Sequence, residues 1–236
     1  MIKKIITGIV AVSVLSASSV LAEDSYKADS ARGSMGNTPA HAELASLFKR
    51  SDAVYKDIAL NSPKGAIPAN ALAKAKCIAV IPDVKTGAIG VGATIGDGLV
   101  SCRTSTGWSS PASVNLANVS LGAQLGGKVT DIVLLINSNK AESALKNGRF
   151  GIGVDASVAA GMYDAAATGM TDGVFAYQRS EGAYAGVSFS GGHLISDAED
   201  NSALYGKNVT PSQILNGQLE SNQSSWTDGF MKMLPS

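Results

Sequence analysis

Cysteine and histidine are scarce in this 236-residue chain, two of each, and charged residues make up only 16%. Two cysteines exclude a disulfide-rich miniprotein and a multi-cysteine zinc protein. Two histidines leave a three-histidine metal site short of ligands, so no metal and no cofactor is expected. Basic and acidic residues balance at 19 each. With no net positive charge to neutralise phosphates, nucleic acid is not an expected partner. Aromatics are few at 6%, but apolar side chains reach 45% and glycine is plentiful at 26. A chain this apolar is not disordered, and its length predicts one domain with a short appendage.

The amino terminus has the pattern of an export signal. Lys3 and Lys4 precede a mostly apolar Ile5–Leu15 run that is short for a bilayer span, and Val20-Leu21-Ala22 places cleavage after Ala22. Removing residues 1–22 leaves 17 basic and 19 acidic residues, a net charge of −2. No later stretch has 18 consecutive apolar residues, so a soluble protein of a bacterial periplasm or the exterior is expected, able to sit peripherally on a membrane. Residues 23–40 are polar and aperiodic, a lead-in to one domain over 41–236.

From His41 to Leu60 the apolar residues Leu44, Leu47, Phe48, Tyr55 and Ile58 recur at helical spacing, with Pro39 placed for a first turn. Residues 68–75 form a second short helix. Twenty of the 26 glycines then fall between Gly87 and Gly206, among short β-rich runs. These are Cys77–Ile81, Ala88–Ile95, Leu99–Arg103, Ser113–Leu116, Ser120–Leu125, Ile132–Ile136, Gly151–Val158, Gly173–Arg179, Ala183–Ser190 and His193–Ile195. The fold class expected is α+β: N-terminal helices packed on a glycine-rich, mostly antiparallel curved sheet or barrel, with a C-terminal helix. The unbroken Ile132–Ile136 run reads as a strand buried on both faces. Asn139 with Glu142, and Thr210 with Gln213, carry the spacing of helix-capping boxes, and Trp226, Phe230 and Leu234 continue a helical stripe.

Cys77 opens one expected strand and Cys102 closes the third along. A disulfide needs their Cβ atoms within about 4 Å, and a simple meander puts them at opposite ends. A bond and two small buried thiols both stay open.

The Gly87–Gly98 run follows a strand, but Val, Ala, Thr and Ile continue past its glycines where a nucleotide-binding fold would start a helix. Gly96-Asp97-Gly98 reads instead as a hairpin turn. His193 lacks a nucleophile elbow, and Asp83, Asp97, Asp131, Asp155 and Asp172 are scattered singly, as turn caps are. Arg103 and Arg179 each end a strand. A partly buried arginine needs a carboxylate or several carbonyls, so Arg–Asp pairing is the first expectation for both. The neighbours of Trp108 suggest a buried ring at a strand turn.

Several motifs stand in order. They run from Lys76-Cys77-Ile78-Ala79-Val80-Ile81-Pro82 and Gly90-Val91-Gly92 through Ser101-Cys102-Arg103 and Gly107-Trp108-Ser109. Gly122-x-Gln124-x-Gly126, Thr130-Asp131, Gly153-x-Asp155-Ala156-Ser157, Tyr177-x-Arg179-Ser180-x-Gly182 and Leu204-Tyr205-Gly206 follow. Together, over roughly Leu44 to Leu215, the chain resembles the SYLF, or Ysc84-like, family. The resemblance implies a non-enzymatic phospholipid-binding module whose eukaryotic members bind phosphoinositides and, in some cases, actin. It also implies membrane contact through the first helix, here residues 41–60. Lys49, Arg50 and Lys56 are then the headgroup-contact residues, among Glu43, Asp52 and Asp57, and headgroup contact becomes the alternative to ion pairing for Arg103 and Arg179. In an exported protein the partner is an anionic phospholipid or membrane surface. The alternatives are a structural or stress-related envelope protein acting by protein–protein contact, and a barrel carrying an acyl chain.

Overall fold

A computed structural model describes residues 39–61, 67–152, 158–160, 173–181 and 192–236. The expected leader, residues 23–38 of the lead-in, and the Ala183–Ser190 strand lie outside the described residues, as does the 153–157 portion of the expected Gly151–Val158 strand.

Helix α1 covers Pro39–Tyr55 and continues directly into a π-helical turn, Lys56–Leu60. Proline fits its first turn because the missing N–H has no intrahelical acceptor there. The stripe Leu44, Leu47, Phe48, Tyr55 and Ile58 is buried throughout. Helix α2 is Ala69–Lys74, with Pro68 as its N-cap.

The sheet differs from the expected series of short strands. Strand β1 runs unbroken from Cys77 to Thr104, turns through the two-residue β2 (Gly107–Trp108), and β3 continues from Ala112 to Ile136. The glycines do not break the strands. Gly96, Asp97 and Gly98 pair in register with Leu116, Asn115 and Val114, so no hairpin forms there. The long ribbon instead doubles back on itself, near the register jump between Ile89↔Leu125 and Val91↔Leu121. A Cβ on Gly98 would lie 2.7 Å from the Val80 carbonyl oxygen, so the second half of β1 lies directly against the first. That approach is what excludes a side chain at this position. At the ribbon's other end the Arg103 N–H donates to the Lys76 carbonyl at 2.7 Å. The Cα atoms of Cys77 and Cys102 are 3.9 Å apart and their sulfurs are bonded. A flat meander separates these residues; the folded-over ribbon joins them.

Four more strands complete the sheet: β4 (Arg149–Ile152), β5 (Val158–Ala160), β6 (Val174–Glu181) and β7 (Gly192–Ser196). The order is β2-β1-β3-β6-β5, with β7 also on β3 and β4 on β7. All pairs are antiparallel except β5 with β6. Strand β3 carries β7 on its first half and β6 on its second. Helices α3 (Asn139–Lys146), α4 (Ala198–Tyr205), α5 (Pro211–Leu215) and α6 (Ser224–Met233) follow or punctuate the strands. The Thr210–Gln213 capping box is present in full. The Asn139 box is not: Ser138 is the N-cap, without a side-chain cap bond, and Asn139 accepts from Lys76.

Two cores result from strand alternation. Ile78, Val80, Leu99, Val133 and Leu135 point outward and are covered by Leu44, Leu47 and Phe48 of α1 and by Phe230 of α6. Ala79, Ile81, Val100, Val114, Leu116, Ile132 and Leu134 point the other way, around the disulfide. Strand β3 is therefore buried on both faces across Ile132–Ile136, which is why the sequence there shows no alternation. The mixed architecture is α+β, with helices ahead of a curled sheet and a helix at the end.

Candidate functional site

Helix α1 is one-sided. Its buried face holds it on the sheet, and its exposed residues, Ala40 and Glu43 apart, form a single strip: Ala42, Ser46, Lys49, Ala53, Lys56 and, across the π-helical turn, Leu60. Spacings of three, four and seven residues place them on one face. This strip carries two lysines and no carboxylate. Glu43 stands beside it, and Asp52 and Asp57 are half-buried on its flanks. Burial pushes the Asp52 carboxyl above its usual range, against the opposing pull of the Lys56 charge. Lys49 and Lys56 form no salt bridge among the described residues.

Arg50 is placed differently. It lies off the strip, and its guanidinium pairs with Asp83 at 2.9 Å. Asp83 sits at the register shift between Ile81 and Val84, with φ of 51°, which turns it toward the helix. Its N–H donates to Asp131 at 3.0 Å. Asp131, 8% exposed, accepts from Arg179 through Nη2 at 2.5 Å and Nε at 3.2 Å. Arg179 also pairs with Asp57 in the π-helical turn. Arg50, Asp83, Asp131, Arg179 and Asp57 thus form one chain of contacts that ties the helix to β1, β3 and β6. Of the three cations expected at headgroups, Arg50 has a structural partner, while Lys49 and Lys56 project together. Asp131 binds a backbone N–H, but one 48 residues distant rather than the local one of a turn cap. Sequence spacing gives no signal for Asp83 as the partner of Arg50.

Arg179 has the carboxylate expected of it; Arg103 has no Asp or Glu partner among the described residues. Arg103 lies 4.5 Å over the Trp108 ring and donates from Nε to the Ala75 carbonyl at 3.0 Å. Carbonyl and ring satisfy it instead. Trp108 is half-buried rather than enclosed, and its Nε1–H reaches the Pro235 carbonyl at 2.7 Å. The nearby Tyr55 hydroxyl is buried, and its pKa is pushed up to about 12 by loss of solvent, with the Arg103 charge pulling the other way. His193 lies half-buried in β7, opposite Ala117 and Gly151. Among the described residues no group of three His, Cys, Asp or Glu side chains is arranged to hold a metal ion, and no helix is long and apolar enough to cross a membrane.

Comparison with known proteins gives a consistent picture. The family model described as "Ysc84: Las17-binding protein actin regulator" matches residues 117–236. Protein YSC84 of Saccharomyces cerevisiae is 34% identical over 197 residues, covering 78% of this chain and 42% of that protein. Human SH3 domain-containing YSC84-like protein 1 is 32% identical over 192 residues, covering 77% and 56%. LAS seventeen-binding protein 3 of S. cerevisiae is 35% identical over 162 residues, covering 65% and 35%. The chain thus spans about half the length, or less, of these relatives. No solved structure matches it.

Proposed function

Because this chain belongs to the Ysc84, or SYLF, family, we propose that it is a non-enzymatic binding module that docks on anionic phospholipid through the outward strip of α1. The observation that carries this reading is the separation of charge on that helix. Two lysines share the exposed strip with the small side chains of Ala42, Ser46 and Ala53 and with Leu60, while the neighbouring arginine and the acids lie off it. A helix whose outward face is basic and otherwise small or apolar is suited to lie in a headgroup layer. Leu60 is 50% exposed at the end of the strip, placed to enter the acyl boundary.

The electrostatic contribution is modest. Each lysine near an anionic surface is worth about 1 kcal/mol, so the pair supplies about 2 kcal/mol, roughly a 30-fold change in partitioning. A net charge of −2 on the exported chain adds no attraction at long range, so the local strip must provide it. The Lys3–Lys4 start and the Ile5–Leu15 run support export, which would present the strip to envelope lipids.

Co-flotation with vesicles tests the proposal. The expected result is recovery on phosphatidylglycerol-containing vesicles that falls as salt rises, with roughly 30-fold weaker partitioning for Lys49→Gln/Lys56→Gln. Equal recovery on anionic and neutral vesicles would refute it. Arg50→Gln is a poor probe, since it also breaks the Asp83 pair. A protein partner is the second reading, favoured by the Las17 binding in the family description and in the name of one relative.

A further inference from the structure

Helix α1 covers the outer face of the doubled ribbon only as far as Leu99. Beyond that, the register places Asp97 opposite Asn115, Ile95 opposite Ala117 and Ala93 opposite Val119. These side chains point outward, because the alternate positions Gly96, Gly98 and Leu116 face the inner core. On the next strand Ile195 lies opposite Asn115. Ile95 is 59% exposed, Val119 75% and Ile195 37%. Diagonal neighbours on one sheet face are about 7–8 Å apart; Ile95 and Val119 are such a pair, and Ile195 is diagonal to the exposed Ala117 that stands opposite Ile95, so these residues form a patch, unlike the isolated apolar residues of an ordinary surface.

A cleft of about 440 Å³ runs along the border of this patch, between the flank of α1 and the start of α4. Its charge is almost all of one sign. Glu43 comes from α1, Asp97 from the sheet, and Asp197, Glu199 and Asp200 from the α4 end. The one cation lining this cleft among the described residues, Arg50, is committed to Asp83, and Lys85 lines a smaller adjoining cleft with Ile95 and Asp97, on the side away from α4. At the far end of the patch, Arg149 stands opposite Ile195.

The acids at the α4 end are held in place. The Asp197 carboxylate accepts the N–H groups of Glu199 and Asp200 at 2.9 Å and the Asn115 side-chain amide at 2.9 Å. Asp200 accepts the Ser113 hydroxyl at 2.8 Å. Burial, with a further contribution from Asp197, Asp97 and Glu199, raises the Asp200 pKa despite that hydrogen bond. An arriving cation relieves this repulsion without rearranging the rim.

We infer that this face is a docking surface for a cationic amphipathic protein segment, its alternate apolar side chains resting on Ile95 and Val119 and its lysines or arginines facing Asp97 and Glu199. The sign of the rim selects this occupant. Carboxylates bordering an apolar patch repel anionic headgroups, so this face and the lysine strip of α1 have opposite preferences. An extended segment suits a sheet face because every second side chain points the same way. The inference does not rest on lipid binding.

The test measures anisotropy of a fluorescein-labelled peptide of alternating lysine and leucine, with an alternating glutamate–leucine peptide as control. Saturable binding of the first peptide only is expected. It should weaken at least ten-fold in Ile95→Ser/Val119→Ser and likewise in Asp97→Asn/Glu199→Gln, and be unchanged in Lys49→Gln/Lys56→Gln. Circular dichroism of each variant separates lost binding from lost fold. No binding by the folded wild-type chain, equal binding of the control peptide, or undiminished binding by both folded variants of the face would overturn the inference. So would loss of anionic-vesicle binding in folded Ile95→Ser/Val119→Ser, which would assign the face to lipid.

Discussion

Three glycines on β1 give a graded test of the doubled ribbon. An alanine Cβ at Gly98 would stand 2.7 Å from the Val80 carbonyl oxygen and 2.8 Å from Ile81 Cγ1. The first neighbour is backbone and cannot swing aside. At Gly96 the nearest atom is Val84 Cγ2 at 2.9 Å, a side-chain methyl, with the Val84 Cα at 3.2 Å. At Gly87 nothing lies within 4 Å. Overpacking a tight core costs about 1–3 kcal/mol, occasionally more. Gly98→Ala belongs at the top of that range, about 3 kcal/mol, and Gly96→Ala lower, about 1–2 kcal/mol. Gly87→Ala should be neutral or gain up to about 1 kcal/mol by restricting a strand residue. For a chain of this size, about 3 kcal/mol corresponds to a fall in Tm of roughly 6–12 °C. Urea unfolding of the three variants, with the slope checked for constancy, reads the series directly. If Gly98→Ala unfolds within about 0.5 kcal/mol of Gly87→Ala, a difference on the scale of an ordinary surface change, the two halves of β1 do not touch and the fold-over is wrong.

The disulfide should contribute through the unfolded state: its sequence separation is 25, and the chain-entropy relation then gives about 3.5 kcal/mol. Denaturant unfolding of Cys77→Ala/Cys102→Ala should show that loss, and a loss below about 1 kcal/mol would place the ribbon's closure elsewhere. The raised pKa of Asp200 has the opposite sign to a salt-bridged carboxylate. Between its unfolded pKa and its higher folded one, the native state binds more protons, so stability falls as pH rises through that window. Asp200→Asn, which keeps an acceptor for Ser113, should therefore be stabilising at neutral pH and lose that advantage below the unfolded carboxylate range; a variant no more stable at neutral pH contradicts this.

Much of the architecture is legible in the sequence where one local rule acts alone. The start of α1 at Pro39, the Thr210 capping box and the double burial of Ile132–Ile136 follow from side-chain chemistry within a few residues. The long strands do not. Gly96-Asp97-Gly98 carries a turn signature, and only the approach of Val80 from elsewhere in the chain explains glycine within a continuous strand. The cysteine pairing is undecidable from sequence for the same reason, since it depends on where the ribbon bends. On α1 the composition shows mixed charge, and the separation of Lys49 and Lys56 from Arg50 emerges only once Asp83 is seen to claim the arginine. Helix α4 leaves little trace in the sequence although Asp197 caps it, accepting from the N–H groups of Glu199 and Asp200. Its short apolar stripe is weak, and the Asx signal alone reads equally as a turn.

The pairing of β1 with β3 also bears on what can be cut out as a modular unit. The family match starts at residue 117, inside β3. Excision at that point would discard the whole partner strand, both cysteines of the bridge, and the helix that roofs the outer core. The remaining piece would present a long bare sheet edge, a template for self-association. The smallest autonomous module therefore begins upstream of the family boundary, no later than the first turn of the opening helix.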